Sequence, residues 1–442
     1  MRKGKFRLSS AKIIALGFAA LIITGTVLLM LPVSTADGQG ASFIDALFTA
    51  VSASCVTGLV VHDTATYWSV FGKLVIITLI QIGGMGVVTF ALAIFKASGK
   101  KISLKQRSVM QESVSGTGVG GIVRLTGFIV TGTFIFEAAG AALLAPAMIK
   151  EFGVLKGILY SLFHSVSAFC NAGFDLMGVK GQYSSLTSFA DNHFVNTAVI
   201  LLIVIGGLGF LTWDDIRTHK FRVKKYRLQS KISLFMAAVL ITIPALFFFF
   251  AEFGSLPFTE RLQASVFQSV TCRTAGFNTM DLGAMSESGQ FIMIMLMLTG
   301  GSPGSTAGGM KTTTIAVLAA AAVSVFRRRS DPHFFGRRVD DNVVRRAVSL
   351  IMMYISLFVI GGIIISMAEN LPLLTCLFES ASAVATVGLT LGITPSLSLV
   401  SRIVLIALMY FGRLGGLTVV LAAVNNNKTA VSKMPRADLN VG

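Results

Sequence analysis

The stretch FIDALFTAVSASCVTGL, from Phe43 to Leu59, joins a short apolar segment rich in serine and alanine to a glycine that is followed by leucine. Three similar stretches occur further along the chain: GILYSLFHSVSAFCNAGF at 157–174, RLQASVFQSVTCRTAGF at 261–277 and PLLTCLFESASAVATVGL at 372–389. Each is compatible with a short helix and ends in a small residue pair, a glycine, and then leucine or phenylalanine. The sequence therefore contains four copies of one helix-to-glycine pattern.

The four copies align on their glycines. The anchors Gly58, Gly173, Gly276 and Gly388 are 115, 103 and 112 residues apart, and an aromatic residue precedes them by 10, 10, 9 and 10 positions. A second glycine motif follows each anchor after 25, 33, 24 and 24 residues, reading GGMG, GGLG, GGSPG and GRLGG. This period predicts an internal repeat. We place the four units at 1–99, 100–219, 220–329 and 330–424, with a C-terminal tail at 425–442.

The composition indicates a membrane protein. Of the 442 residues, 54% are hydrophobic and 13% are charged, whereas soluble domains average about 25% charged residues. Eight apolar segments approach or exceed the length of about 20 residues that crosses a bilayer. They are 13–31, 73–95, 125–148, 195–213, 232–253, 291–326, 347–367 and 403–424. This composition excludes a disordered chain and argues against a soluble multidomain enzyme.

The net charge of +17 comes from 37 Lys and Arg against 20 Asp and Glu. If all eight segments span, 28 of the 37 basic residues fall on one side of the membrane. Cytoplasmic loops concentrate Lys and Arg, so we expect both termini to be cytoplasmic. A nucleic-acid partner is the other interpretation of a basic chain, but it fits poorly with 34 Phe and 18 Met in long apolar runs.

The repeated pattern indicates an ion filter. Irregular backbone survives at membrane depth only where it is buried in protein or lines a water-filled cavity. Four such loops meeting at one axis could replace the water shell of a cation with backbone carbonyls. Glycine permits the required backbone angles, and helix C-terminal ends favour a cation. The simpler interpretation, in which each glycine only caps a short helix, explains one copy better than four aligned copies.

These motifs resemble the Trk/Ktr/HKT superfamily of potassium transporters, and most closely the membrane subunit of bacterial Ktr systems. The pieces that carry the resemblance are ASCVTGL, AFCNAGF, TCRTAGF, VATVGL, GGSPGSTAGGMKT and FGRLGG, and the likeness extends over about 9–424. It implies an all-α polytopic fold of four span, pore half-helix, span repeats around one pore in the bacterial plasma membrane. It also implies that K⁺ binds a filter with no structural metal. That filter comprises Val56, Thr57, Gly58, Asn171, Ala172, Gly173, Thr274, Ala275, Gly276, Thr386, Val387 and Gly388.

A glycine-rich interruption divides the sixth apolar segment, since five glycines and a proline within ten residues cannot continue a helix. By resemblance this interruption is a gate that blocks the pore from below, and Arg413 adds an electrostatic barrier beside it. The expected gate residues are Gly300, Gly301, Ser302, Pro303, Gly304, Ser305, Thr306, Gly308, Gly309 and Arg413. Two alternatives stay open: a flexible break without a gating role, and a structural Arg413 paired with a carboxylate such as Glu137. We expect Lys311 to extend to the cytosolic edge.

The resemblance also implies partners. The chain would form a homodimer and dock on a cytosolic KTN/RCK-type ring, which would carry the nucleotide, ATP or ADP. No cofactor is expected in this chain itself, because the glycines at 116–121 adjoin a membrane segment rather than connecting a strand to a helix. Sodium is expected as an activator and anionic lipids as contacts of the basic loops.

Other residues support narrower expectations. A potassium symporter coupled to H⁺ or Na⁺ is the alternative function, with Glu137 as the candidate proton carrier. We expect Asp45, Asp63 and Glu379 to face the outside and Arg273 to pair with an acid. The scattered histidines and cysteines suggest neither an enzyme nor a metal centre.

Overall fold

A computed structural model describes residues 9–97, 104–113, 121–329 and 331–415. The predictions for the first basic residues, for most of the 116–121 glycine run and for the chain beyond 415, including the tail at 425–442, lie outside this part. The described chain is mainly α-helical, which confirms the predicted fold class at that level.

The helices and strands follow one another in this order: α1 Ser10–Leu29, α2 Phe43–Cys55, α3 Val70–Met85, α4 Val87–Ala97, α5 Leu104–Ser113, α6 Ile122–Phe152, α7 Val154–Cys170, α8 His193–Gly207, α9 Phe210–His219, α10 Leu228–Phe247, α11 Phe258–Thr271, α12 Glu287–Leu298, α13 Thr312–Phe326, β1 His333–Phe334, β2 Arg337–Arg338, α14 Asp341–Glu369, α15 Leu373–Ala385 and α16 Leu399–Leu414. A π-helical turn, Phe248–Glu252, extends α10, and β1 and β2 form a small antiparallel hairpin.

The long helices form the apolar outside of the molecule. By length and composition, α1, α6, α10 with its π-helical turn, and α14 could each cross a membrane, and the bent pair α8 and α9 would make a fifth span in the described chain. Large apolar side chains such as Phe134, Ile135 and Met352 are more than half exposed on these helices. An apolar surface of this kind is stable against lipid rather than water.

Four short helices, α2, α7, α11 and α15, lie inside this outer layer; we call them the short buried helices. Every residue is buried from the aligned aromatic to the helix end, over 48–55, 163–170, 267–271 and 378–385. A serine ties three of them to a long helix: the hydroxyls of Ser165, Ser269 and Ser380 donate to carbonyl oxygens of α6, α10 and α14 at 2.6, 2.8 and 2.8 Å. Burial and these bonds fix the short buried helices in the interior.

The second predicted span is interrupted in the first three repeats, and in the fourth its helix ends at Gly415, the last described residue. In three repeats the helix stops at a glycine of very similar backbone geometry: Gly86 has φ 85° and ψ 130°, Gly209 has 86° and 138°, and Gly415 has 75° and 124°. Angles of this kind are easily reached only by glycine. The interruption turns α8 from α9 by 95°. Between α12 and α13 it is the segment 300–309, which we call the glycine-rich loop.

Candidate functional site

Each short buried helix leads into a tight loop that ends at an anchor glycine. The residue two positions before that glycine is left-handed in all four loops: φ is 60° at Val56, 58° at Asn171, 71° at Thr274 and 53° at Thr386. In three of the loops this residue donates its N–H back to the third-last residue of the helix. All four loops therefore share the left-handed residue despite their different sequences, and three of them also share its hydrogen bond to the helix end.

This backbone path is strained at three of the four positions. β-Branched residues such as Val56, Thr274 and Thr386 rarely take positive φ. Such a conformation costs of order 1–3 kcal/mol and persists only where the surroundings impose it. Because three separate loops carry this conformational cost, we infer that the left-handed conformation itself is required at this position.

The four glycines form a closed ring. A methyl group added at any anchor glycine would collide with a carbonyl oxygen of the neighbouring loop, namely that of the residue directly before the next anchor glycine. The order around the ring is Gly58, Gly173, Gly276, Gly388 and back to Gly58. At Gly173 the gap to the oxygen of Ala275 would be 2.9 Å, closer than real side chains come to a neighbouring atom. Only glycine fits at each position, and each glycine faces a carbonyl of its neighbour.

Buried oxygens without partners line the same loops. The side-chain oxygens of Thr57, Asn171, Thr274 and Thr386 have no hydrogen-bond partner in the described part of the chain. Buried polar atoms are normally bonded, and exceptions often mark a functional site. A set of ligands made of oxygen atoms alone suits a hard monovalent or divalent cation.

The glycine-rich loop lies against the ends of the short buried helices. Its base is closed by a bond from the N–H of Gly300 to the Met310 oxygen at 2.8 Å. The hydroxyl of Thr306 donates to the oxygen of Phe169 at 3.0 Å and accepts from the side-chain amide of Asn171 at 3.1 Å. The loop thus contacts the second glycine loop directly.

Other contacts hold the glycine-rich loop at the interruption of the second repeat and beneath the fourth loop. Ser302 donates its N–H to the oxygen of Gly207 at 3.0 Å, and Phe210 donates to the oxygen of Gly304 at 2.6 Å. A methyl group at Gly308 would collide with the hydroxyl of Thr386. These contacts leave no room for a side chain between the loop and the fourth glycine loop.

Two basic side chains reach the glycine-rich loop. The guanidinium of Arg413 donates to the oxygen of Thr306 at 2.5 Å and to the oxygens of Gly83 and Gly84, the latter at 3.1 Å. The ammonium of Lys311 donates to the oxygens of Ala307 and Gly308 at 2.8 and 3.2 Å. Lys311 therefore does not extend to an edge, as the sequence suggested, but folds back onto the loop.

A cavity lies on each side of these contacts. The upper cavity, of about 100 Å³, is lined by all four anchor glycines together with Asp63, Asp175, Asn278, Thr390 and others. The lower cavity, of about 330 Å³, is lined by part of the glycine-rich loop, by the interruption at Gly84 to Val88, and by Lys311 and Arg413. The glycine ring and the glycine-rich loop thus border separate cavities.

Asp175 lies in the connection that follows the second glycine loop and contributes to the upper cavity. Burial raises the pKa of its carboxyl to about 7, although a hydrogen bond from the N–H of Met177 at 2.8 Å acts in the opposite direction.

Several predicted site residues have other surroundings. Asp45 pairs with Arg402 at 2.8 Å, and Glu379 is fully buried rather than on the outer surface. Glu137 accepts from the amide of Gln81 at 3.2 Å and is not the partner of Arg413. Arg273 is buried, and among the described residues no ion pair includes it. The expectations for Glu379 and Arg273 were wrong because a one-dimensional pattern does not tell which face of a short helix is covered. The pairing of Arg413 with Glu137, which the sequence left open, is not the one found.

One polar position in the short buried helices was not predicted from the sequence. The residue after the aligned aromatic is polar and buried in all four: Thr49, His164, Gln268 and Glu379. Its signal was the repeated pair of aromatic and polar residues, which read FT, FH, FQ and FE.

Comparison with known proteins places this geometry in a family. The model of the TrkH family, described as cation transport protein, matches residues 10–432. The chain is 40% identical to the potassium/sodium uptake protein NtpJ of Enterococcus hirae, over 99% of this chain and 98% of that protein. It is 36% identical to the Ktr system potassium uptake protein B of Bacillus subtilis, over 96% and 95% of the two chains. The crystal structure of the potassium transporter TrkH from Vibrio parahaemolyticus has the same fold, with a TM-score of 0.76 at 20% identity over 96% of this chain and 86% of that one. Matches over nearly the whole length show that the chain belongs to the TrkH family of cation transport proteins.

Proposed function

We propose that this chain is the potassium-conducting membrane subunit of a bacterial uptake system and that K⁺ passes through the ring of anchor glycines. The observation that carries the proposal is the ring itself, in which every glycine approaches the carbonyl oxygen of its neighbour's loop. The relatives named for potassium uptake support K⁺ as the ion. Membership of a transporter family argues for transport rather than catalysis.

The proposed filter consists of the three residues that end in each anchor glycine. Its carbonyl oxygens would replace the hydration shell of K⁺, and the unpartnered oxygens of Thr57, Thr274 and Thr386 would add acceptors. The four short buried helices end at this filter, so their C-terminal partial charges stabilise a cation there.

We further propose that the chain consists of four pseudo-symmetric repeats with the boundaries given above. Each unit has a long helix, a short buried helix, a glycine loop and a second helix, in that order, and the second helix is interrupted in the first three units. The same left-handed residue before every anchor glycine supports this division.

In this proposal the glycine-rich loop and Arg413 form the gate. The loop lies between the proposed filter and the lower cavity, and hydrogen bonds to Phe169, Asn171 and Arg413 hold it there. A K⁺ ion leaving the filter would have to displace the loop, whose glycines allow it to change conformation without large side chains to repack.

The proposed setting is the bacterial plasma membrane, with both termini in the cytoplasm and the upper cavity open to the outside. The basic segments 217–231 and 327–346 then face the cytoplasm, in agreement with the charge bias of membrane proteins. Exposed aromatic side chains accompany them: Phe221, in the first segment, is 99% exposed, and Phe326, directly before the second, is 84% exposed. Such a surface suits a cytosolic KTN/RCK-type ring, which would bind ATP or ADP, and anionic lipids. A homodimer of this chain completes the proposed assembly, and the name of a Ktr system relative supports a multi-component system.

A coupled K⁺ symporter, driven by H⁺ or Na⁺, is the second candidate. Glu137 is a buried carboxylate on α6 in contact with Gln81, and the NtpJ relative is named for both potassium and sodium. The same name agrees with Na⁺ as an activator of a passive pathway.

The test uses purified protein in liposomes. We expect K⁺ flux to exceed Na⁺ flux, to rise when a nucleotide-binding partner is added, and to reverse at the K⁺ equilibrium potential whatever the pH or Na⁺ gradient. A reversal that moves with the pH or Na⁺ gradient would establish the symporter instead. Equal K⁺ and Na⁺ fluxes, each measured with the other ion absent, would contradict both candidates.

A further inference from the structure

A buried polar side chain lies behind the proposed filter in each repeat, directly after the aligned aromatic. Thr49, His164, Gln268 and Glu379 are 2, 1, 0 and 0% exposed. Burying such groups costs free energy unless they are hydrogen-bonded. Their bonds therefore indicate what they hold in place.

In the second repeat the side chain reaches forward past the anchor glycine. The ring of His164 contacts the N–H of Leu176 through Nε2 at 3.2 Å and the oxygen of Tyr160 through Nδ1 at 2.7 Å. A backbone N–H can only donate and a carbonyl can only accept. His164 is therefore neutral with its proton on Nδ1, and its Nε2 holds the chain three residues beyond Gly173.

The fourth repeat has a corresponding contact. The carboxylate of Glu379 accepts from the hydroxyls of Thr390 and Thr394, the latter at 3.0 Å. Thr390 lies two residues beyond Gly388 and lines the upper cavity. The bond to the carboxylate therefore fixes the outer end of the fourth glycine loop.

These two contacts lie on opposite sides of the ring. Gly173 and Gly388 each contact Gly58 and Gly276 but not one another, so their loops face each other across the ring. In the third repeat, by contrast, Gln268 bonds to Cys272 in its own segment and to Met293 of α12. Among the described residues, therefore, a side chain at this position bonds to the segment beyond its anchor glycine only in the second and fourth loops.

We propose that His164 and Glu379 are positioning residues that hold the outer ends of the second and fourth filter loops and thereby set the preference for K⁺ over Na⁺. The inference rests on the proposed function. Both loops pass through a left-handed residue, Asn171 or Thr386, and the strained Thr386 keeps its conformation only if the surrounding contacts impose it. Releasing either outer end lets the loop relax and lets its carbonyls approach the smaller Na⁺.

The experiment measures the K⁺/Na⁺ permeability ratio, the total flux and the melting temperature of the full chain in liposomes. Glu379→Gln places an amide donor in front of two hydroxyl donors, and His164→Leu removes the acceptor for Leu176. We expect each to lower the permeability ratio about tenfold, which corresponds to about 1.4 kcal/mol. His164→Gln, whose amide oxygen can again accept from Leu176, should restore most of the ratio.

Ser165→Ala and Ser380→Ala are matched controls, because these serines directly follow His164 and Glu379 in the sequence. Each substitution removes one buried hydrogen bond, but that bond goes to a long helix and not to a filter loop. They should lower the melting temperature and leave the permeability ratio unchanged.

If His164→Leu does not assemble, Glu379→Gln and Thr394→Val give the same test. Wild-type ratios in the Glu379 and His164 variants would overturn the inference. A wild-type protein without K⁺ preference would instead overturn the proposed function, before any variant is compared.

Discussion

Neutralising Arg413 tests whether the lower cavity opposes the passage of cations. The guanidinium lines this cavity and also binds the oxygens of Thr306 and Gly84. Arg413→Gln removes the charge but keeps an amide that can donate to those oxygens. Arg413→Lys keeps the charge but loses the forked geometry that bonds several carbonyls at once. The two variants therefore separate the electrostatic role from the tethering role.

The size of the effect follows from the dimensions of the cavity. A cation at the centre of a 330 Å³ cavity lies about 6 Å from a lining guanidinium, and the two charges repel by about 3 kcal/mol at an effective dielectric constant of about 20. Because 1.4 kcal/mol changes a rate or equilibrium constant tenfold, removing the charge should raise K⁺ flux by about ten- to a hundredfold. The lower value applies if water enters the cavity and screens the repulsion.

The assay is K⁺ flux into liposomes, normalised to the amount of assembled protein. Arg413→Gln should raise flux and Arg413→Lys should not. Arg402→Gln is the matched control, since Arg402 lies on the same helix α16 but pairs with Asp45, and it should leave the flux through the lower cavity unchanged. Reduced flux in a correctly assembled Arg413→Gln protein would refute the electrostatic barrier and favour a purely structural arginine.

Three further predictions concern the ring and the glycine-rich loop. Gly173→Ala should abolish K⁺-selective flux. Gly38→Ala is the control and should leave the flux unchanged, because Gly38 has a similar positive φ but lies in open space. Equal K⁺ flux in the two variants would contradict the close-packed ring. Ser382→Ala removes the acceptor of the Gly388 N–H at 3.0 Å, so unfolding measurements should show a loss of about 1–3 kcal/mol, and an unchanged melting curve would rule out this bond as a support. Shortening the glycine-rich loop should speed K⁺ flux, and the same flux in an assembled deletion variant would exclude it as the gate.

The sequence was sufficient to predict which segments matter. The aligned glycines at Gly58, Gly173, Gly276 and Gly388 do lie together, because only glycine tolerates both the positive φ and the approach of a neighbouring carbonyl. The break at the glycine-rich loop was also predictable, since glycine and proline cannot continue a helix. Both results follow from local backbone chemistry, which a sequence expresses directly.

The directions of polar side chains could not be predicted in the same way. Glu379 and Ser380 are adjacent in the sequence but have different partners. Glu379 accepts from hydroxyls beyond the proposed filter, whereas Ser380 donates to the long helix α14. Lys311 folds back onto the glycine-rich loop because carbonyl oxygens left unpaired by the interrupted helix are available there. These outcomes depend on which neighbours the tertiary fold brings close, and no local pattern contains that information.

The residues that line the two cavities carry charges of opposite sign. The residues lining the upper cavity include Asp63 and Asp175 and, within the described chain, no Lys, Arg or His. Those lining the lower cavity include Lys311 and Arg413 and, among the residues the structure describes, no Asp or Glu. A cation approaching the upper cavity is attracted, and one approaching the lower cavity is repelled. With the upper cavity facing outward, as proposed, this asymmetry favours loading of the filter from outside over entry from the cytoplasm. Fixed charges change the rates of entry and leave the equilibrium alone, so the K⁺ gradient and the membrane potential still decide the net direction of flow.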